Sequence, residues 1–229
     1  MKEEGCTKLA IVNDKEVYGA GLARVVETEA KKQGVQVVAN EGFDKNASNY
    51  RSLAGGFDAD CFFYGGVTAN NGVQVFKDVA AALPDAKLFG PDGVAEESFA
   101  DPKEGGVPAS VAKRILVTVA TLSPDEYPEA GKKFFADFEK EYQEANPSPY
   151  AIYGYESAAL ILDAIERAGD QGNDRAAVLE ALFSTKDRES VLGTYSIDPN
   201  GDTTLTDYGI FVVKDGELEF DRVIKAAAS

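Results

Sequence analysis

Residues 8–23 read Lys8-Leu9-Ala10-Ile11-Val12-Asn13-Asp14-Lys15-Glu16-Val17-Tyr18-Gly19-Ala20-Gly21-Leu22-Ala23, and this stretch decides the fold. Leu9 to Val12 is an unbroken apolar run closed by Asn13-Asp14. That is the pattern of a strand covered on both faces of a parallel sheet. From Gly19 to Gln33 the period becomes helical, with Leu22, Val25, Val26 and Ala30 on the inward face, and Gly34 suits the stop. The same strand–loop–helix unit then recurs. Further strands are expected at 35–38, 61–64, 87–89 and 114–119. A short helix from the cap Ser48 to Leu53, and a longer one turning Val73, Phe76, Val79, Ala80 and Leu83 inward, lie between them. The expectation is an α/β fold with a doubly wound, parallel, five-stranded sheet.

Such sheets bind ligands at the carboxyl ends of their strands. Loops 13–18, 65–71 and 91–96 sit there, so their polar residues are the candidates. After Thr121 the pattern changes. Helices are expected over 128–145, with Phe134, Phe135, Phe138 and Tyr142 on one side, and over 150–168, with Ile152, Tyr155, Ala159, Leu162 and Ile165 spaced for burial. A third helix is expected over 174–183 and a strand over 193–197. Two strand-like runs, 208–213 and 218–223, flank Lys214-Asp215-Gly216-Glu217, a strong hairpin signal.

Composition excludes several function classes. The chain of 229 residues carries 23 basic and 39 acidic side chains, a formal net charge of −16. A phosphate backbone is repelled by such a surface, so no nucleic-acid partner is expected. There is no histidine, which removes imidazole as base, nucleophile partner or metal ligand. No enzyme activity, cofactor or metal is expected. No apolar run approaches the ~20 residues of a membrane span. Met1-Lys2-Glu3-Glu4-Gly5 lacks the basic-then-apolar order of a signal peptide.

Motifs that tempt toward chemistry fail on spacing. Gly19-Ala20-Gly21 opens a helix after a strand, but Arg24 stands where a dinucleotide fingerprint needs its third glycine. Asp198, Asn200 and Asp202 resemble the start of a calcium loop, yet Thr203 and Gly209 occupy the glycine and glutamate positions. Asx-turn chemistry explains that run better. Tyr64 ends the third strand where a phospho-acceptor would need aspartate. Cys6 and Cys61 precede the first and third strands, neighbours in a flavodoxin-like strand order. Their side chains could then lie within disulfide reach; two small buried thiols are the alternative.

Assembled, these residues resemble the second lobe of type I periplasmic binding proteins, in the leucine/isoleucine/valine-binding class of branched-chain amino acid ABC transporters. The resemblance rests on Leu9-Ala10-Ile11-Val12-Asn13-Asp14 with Tyr18-Gly19-Ala20-Gly21-Leu22-Ala23, then Phe62-Phe63-Tyr64-Gly65-Gly66 and Phe89-Gly90-Pro91-Asp92-Gly93. The helix over 150–169, Ile197-Asp198-Pro199-Asn200-Gly201-Asp202 and Phe211-Val212-Val213-Lys214-Asp215-Gly216 continue it in register.

The resemblance implies a solute-binding component, or fragment, of an ABC importer. It would hold an amino acid or similar small polar molecule in an interlobe cleft, outside the cytoplasm, with an ABC permease as partner. A ligand-sensing lobe of a signalling or amide-responsive regulatory protein is the alternative. Tyr18 and Asp92 are implied to face the ligand, the acid meeting its ammonium. The third contact, often aromatic in the family, falls at Val67, followed by Thr68. Residues 1–122 with 207–229 correspond to lobe two, and 123–206 to a helical part of lobe one whose early portion is absent from this sequence. A truncation, a misplaced gene start, a split receptor with a separate first-lobe chain and a rearranged oligomer all stay open. The apolar faces of the later helices need cover, and a homo-oligomer through Phe134, Phe138 and Ile152 is expected.

Overall fold

The computed structural model describes residues 1–144 and 147–226. Ala145, the expected end of the helix over 128–145, lies outside them. In chain order the elements are β1 (Lys8–Asn13), α1 (Val17–Lys32), β2 (Gln36–Gly42), α2 (Arg51–Ala54), β3 (Cys61–Gly65), α3 (Gly72–Ala82), β4 (Lys87–Gly90), α4 (Glu97–Ala100), α5 (Ala109–Ala112) and β5 (Ile115–Val119). There follow α6 (Glu129–Tyr142), α7 (Ala151–Ala168), α8 (Arg175–Phe183), β6 (Arg188–Ser190), β7 (Gly193–Tyr195), β8 (Asp207–Lys214) and β9 (Glu217–Lys225). Two compact units result: Met1–Ala120 with Gly209–Arg222, and Thr121–Tyr208 with the residues from Val223 onward. Among the described residues no helix is long and apolar enough to cross a membrane.

The first unit is built on a sheet in the order β2-β1-β3-β4-β5-β8-β9. The expected five strands pair in parallel. The hairpin β8–β9 extends them to seven among the described residues, with β8 antiparallel to β5 (Leu116 opposite Val212). Asp215 and Gly216 take φ of 53° and 91°, as the tight turn between strands of this twist requires.

Alternation along β1 explains its unbroken apolar run. Ala10 and Val12 join a core with Phe62, Tyr64, Leu88, Val75, Phe76 and Val79. Leu9 and Ile11 face the other way, onto Cys61, Phe63, Phe89 and Ala23 and Ala30 of α1. Both faces are covered, so every position must be apolar.

Three expectations need correction. Val25 is 59% exposed, and the buried line of α1 is Gly19, Ala23 and Ala30. Gly19 packs directly on the Gly65 carbonyl. That contact fixes the helix rotation and turns Val25 to solvent. Ser48 caps nothing: α2 begins after Tyr50 without a side-chain cap, the Asn49 side chain accepts from the Arg51 N–H at 3.4 Å, and the Tyr50 N–H is taken by the buried Asp78 carboxylate of α3 at 2.7 Å. In α7 the fully buried positions are Ile152, Glu156 and Ala164, while Tyr155, Leu162 and Ile165 are exposed. Glu156 is inside because Arg188 Nε (2.7 Å) and Tyr195 OH (2.8 Å) donate to it. A buried carboxylate on the inward face is invisible to a hydrophobic period.

In the second unit α6 carries an aromatic file, with Phe134 packed on Phe135, Phe138 and Tyr155. Ile152 has no solvent exposure, so it is already inside and cannot belong to an intermolecular surface. Asp174 caps α8 through the N–H groups of Ala176 and Ala177. Asp198 accepts from the N–H groups of Asn200 and Asp202, an Asx turn. β6, paired with β7, is a strand that the sequence pattern did not suggest.

Cys6 and Cys61 are joined by a disulfide, with their Cα atoms 5.7 Å apart. It ties the segment before β1 to the start of β3 across a sequence separation of 55. Closing a loop of that size restricts the unfolded chain. Replacing both cysteines by alanine is expected to lower the free energy of unfolding by about 2–4 kcal/mol, read from urea denaturation of the unreduced protein, with dithiothreitol producing the same loss in the parent chain.

Candidate ligand-binding site

β1, β3 and β4 are parallel neighbours, so the loops leaving their carboxyl ends share one rim of the first unit. The chain leaves β1 through Asn13 and Asp14 and enters α1 at Val17. Lys15 takes a φ of 63°, and its N–H donates to Asn13 Oδ1 at 3.1 Å. This tight reversal puts Tyr18 in the first turn of α1, on the rim.

Tyr18 OH donates to Asp92 Oδ1 at 2.6 Å. Both side chains are exposed. Thr68 Oγ1 donates to the Gly93 carbonyl at 3.4 Å. A Cβ on Gly93 would stand 2.6 Å from the Gly66 carbonyl, 3.0 Å from Val67 Cγ1 and 3.2 Å from Tyr18 Cε1. The four candidates are thus gathered: Tyr18 with Asp92 directly, and Val67 with Thr68 around Gly93. Chemically the group offers an exposed carboxylate, a phenol oriented by it, a hydroxyl and an aliphatic surface. A cationic head with a small apolar body fits such a set.

The loops are held from below. Tyr64, the next-to-last residue of β3, is fully buried, and its OH donates to the Val67 carbonyl at 2.9 Å. Burial first, then the nearby Asp14 carboxylate, pushes its pKa far above the ordinary tyrosine value, so it stays a neutral donor. Asp14 is 3% exposed and accepts from Asn70 Nδ2 at 2.7 Å. Asp14 and Asn70 lie in the loops whose polar residues are the candidates, but neither they nor Tyr64 and Gly93 are among the four expected ligand contacts. The Asn13-Asp14 pair after an apolar strand was the available signal for the first of them.

Among the described residues Cys6, Asp60 and Cys61 bring three metal-capable atoms together. Both sulfurs are consumed by the disulfide, and the Asp60 carboxylate accepts from the N–H groups of Thr7 and Lys8. This cluster is structural.

The sequence profile described as periplasmic binding protein matches residues 1–217. The chain belongs to the periplasmic binding protein family. Among curated members it is 28% identical over 208 residues to a Leu/Ile/Val-binding protein of Citrobacter freundii, covering 89% of this chain and 53% of that protein. It is 29% identical over 212 residues to an amino acid binding protein of Pseudomonas aeruginosa, covering 89% and 52%. The chain therefore spans about half the length of the curated relatives it matches. A leucine binding protein of Thermotoga maritima superposes with a TM-score of 0.80 at 23% identity, over 98% of this chain and 62% of that one. The branched-chain amino acid transporter substrate binding protein of Streptococcus pneumoniae, in complex with isoleucine, gives 0.73 at 23%, over 97% and 61%. These likenesses establish the lobe fold of the family.

Gly93 makes the packing of the rim testable. Gly93→Ala must part the loops after β3 and β4, because the intruding methyl meets backbone at 2.6 Å. A loss of roughly 1–3 kcal/mol in unfolding free energy is expected, as for other overpacked sites, measured by urea titration.

Proposed function

We propose that this chain is the solute-binding component, or part of one, of an ABC importer, and that it takes an amino acid or similar small polar molecule at the Tyr18–Asp92 rim. The observation that carries the reading is the 2.6 Å hydrogen bond between these two side chains. It holds an exposed carboxylate where an ammonium group would be received, with Val67 and Thr68 supplying an aliphatic and a hydroxyl contact. Relatives named for leucine, isoleucine and valine support a branched apolar side chain on the ligand. The mechanism is recognition without bond chemistry, at an extracytoplasmic location, with an ABC permease as the receiving partner.

The reading extends to self-association through the aromatic side of α6. Phe134 and Phe138 are half-buried there, and Tyr142 and Tyr155 are 66% and 53% exposed. Monomers rarely leave such a file uncovered.

Titration calorimetry with L-leucine, L-isoleucine and L-valine tests the ligand. At least one is expected to bind and to raise the melting temperature. Asp92→Asn is expected to weaken it by about tenfold or more, since the side chain still accepts a hydrogen bond but loses the charge that meets the ammonium, and Tyr18→Phe by less. Absence of binding by any of the three at millimolar concentration would sink the amino-acid reading. Light scattering tests association: a dimer is expected at micromolar concentration and a monomer for Phe138→Glu, whereas a parent chain that is already monomeric refutes it.

A further inference from the structure

A second buried polar group under this rim, besides the Tyr64 hydroxyl, is the Asp14 carboxylate. Asp14 is 3% exposed, and its two oxygens receive different neutral donors. Oδ1 accepts from the Glu16 N–H at 3.1 Å, at the entry to α1. Oδ2 accepts from Asn70 Nδ2 at 2.7 Å, in the loop after β3. Its own N–H donates to the Gly65 carbonyl at 3.0 Å. The space around the carboxylate is closed by glycines. A Cβ on Gly19 would collide with Oδ1, and one on Gly66 would stand 2.7 Å from Oδ2. Gly66 in turn bears on Gly93, beside Asp92. One carboxylate thus connects the loop that presents Tyr18, the loop that presents Val67 and Thr68 and, through Gly66, the loop that presents Asp92.

Burying a carboxylate is unfavourable unless its oxygens are satisfied. The arrangement needs a group that accepts on both sides and donates on neither, which among side chains of this length only ionised aspartate provides. We infer that Asp14 is the positioning residue of the ligand rim, fixing Tyr18, Val67, Thr68 and Asp92 relative to one another through Glu16 N–H and Asn70. This deepens the ligand-binding reading above and, for its affinity readout, rests on it.

The hydrogen-bond logic gives a sharp exchange experiment. In Asp14→Asn the charge is lost: the new amide keeps its oxygen on the Glu16 N–H and turns its NH2 to Asn70, which must turn its own amide over to accept, so both charge-assisted contacts become neutral ones. In Asn70→Asp two carboxylates oppose each other. In the double variant the new amide at position 14 accepts from the Glu16 N–H and donates to the new carboxylate at position 70, so both contacts return. Hydrogen–deuterium exchange of the ligand-free protein is followed in peptides covering 13–20, 64–72 and 91–96. L-leucine affinity is measured in parallel. Each single variant is expected to raise exchange in all three peptides and to weaken leucine by about tenfold, the size of one lost charge-assisted hydrogen bond. The double variant is expected to restore both. Glu156→Gln, which removes a buried carboxylate in the second unit, is expected to lower stability while leaving the three peptides unchanged. Should Asp14→Asn fail to fold, Asn70→Ala at a half-buried position carries the same expectation for exchange. Unchanged exchange in the single variants, or a double variant no better than either, overturns the inference. A parent chain that ignores leucine overturns the amino-acid reading instead, and the exchange arm still decides the role of Asp14.

Discussion

Leu9, Ala10, Ile11 and Val12 have no solvent exposure, although consecutive residues of a strand point to opposite faces. Cover on both sides of the sheet is the constraint from which the rest follows. It forces β1, β3 and β4 to be apolar along their length, so polar chemistry has nowhere to go but the strand ends. It also fixes how the helices approach. α1 comes close enough that only a glycine, at position 19, fits against the end of β3. The rim is then a consequence of the sheet. Parallel neighbours deliver three loops to one edge, and the residue types in those loops decide what the edge can hold.

On that edge, geometry is set by groups that can only give or only receive. Tyr64 is kept a donor by burial, and Asp14 is an acceptor on both sides. Asp92 receives from Tyr18. The glycines at 19, 66 and 93 let backbone and carboxylate approach where any side chain would intrude. Exposed Tyr18 and Asp92 therefore stand on a buried and fully committed base. The supports of these loop residues cannot swap partners without leaving a donor or acceptor unpaired.

Much of this was legible in the residues. Continuous apolar runs located the five parallel strands, and their order located the loops that bring Tyr18 to Asp92. Asp215-Gly216 located the hairpin. Legibility ended where burial has a polar cause. Glu156 lies inside because Arg188 and Tyr195, far along the chain, reach it. A hydrophobic period therefore turned α7 toward Tyr155 and Leu162 instead. Asp78 holds the Tyr50 N–H just ahead of α2 from another helix, and Ser48 does not mark the boundary. Asp14 reads as a loop acid until the glycines around it are seen in space. In each case the deciding partner is distant in sequence, and spacing carries no trace of it.

The sheet of the first unit closes with strands from much later in the chain. β5 receives β8 only after the whole segment Thr121–Tyr208 has been made. On a ribosome adding ~5–20 residues per second, β5 therefore waits for several seconds with one edge unpaired. An open, apolar strand edge is a template for any other strand that meets it. Ile210 and Phe211 of β8, which eventually lie opposite Thr118 and Val117, thus arrive as the late seal of an otherwise complete sheet. The order of synthesis makes the interval before that seal the time at which this chain is most exposed to misassociation, whatever the stability of the finished fold.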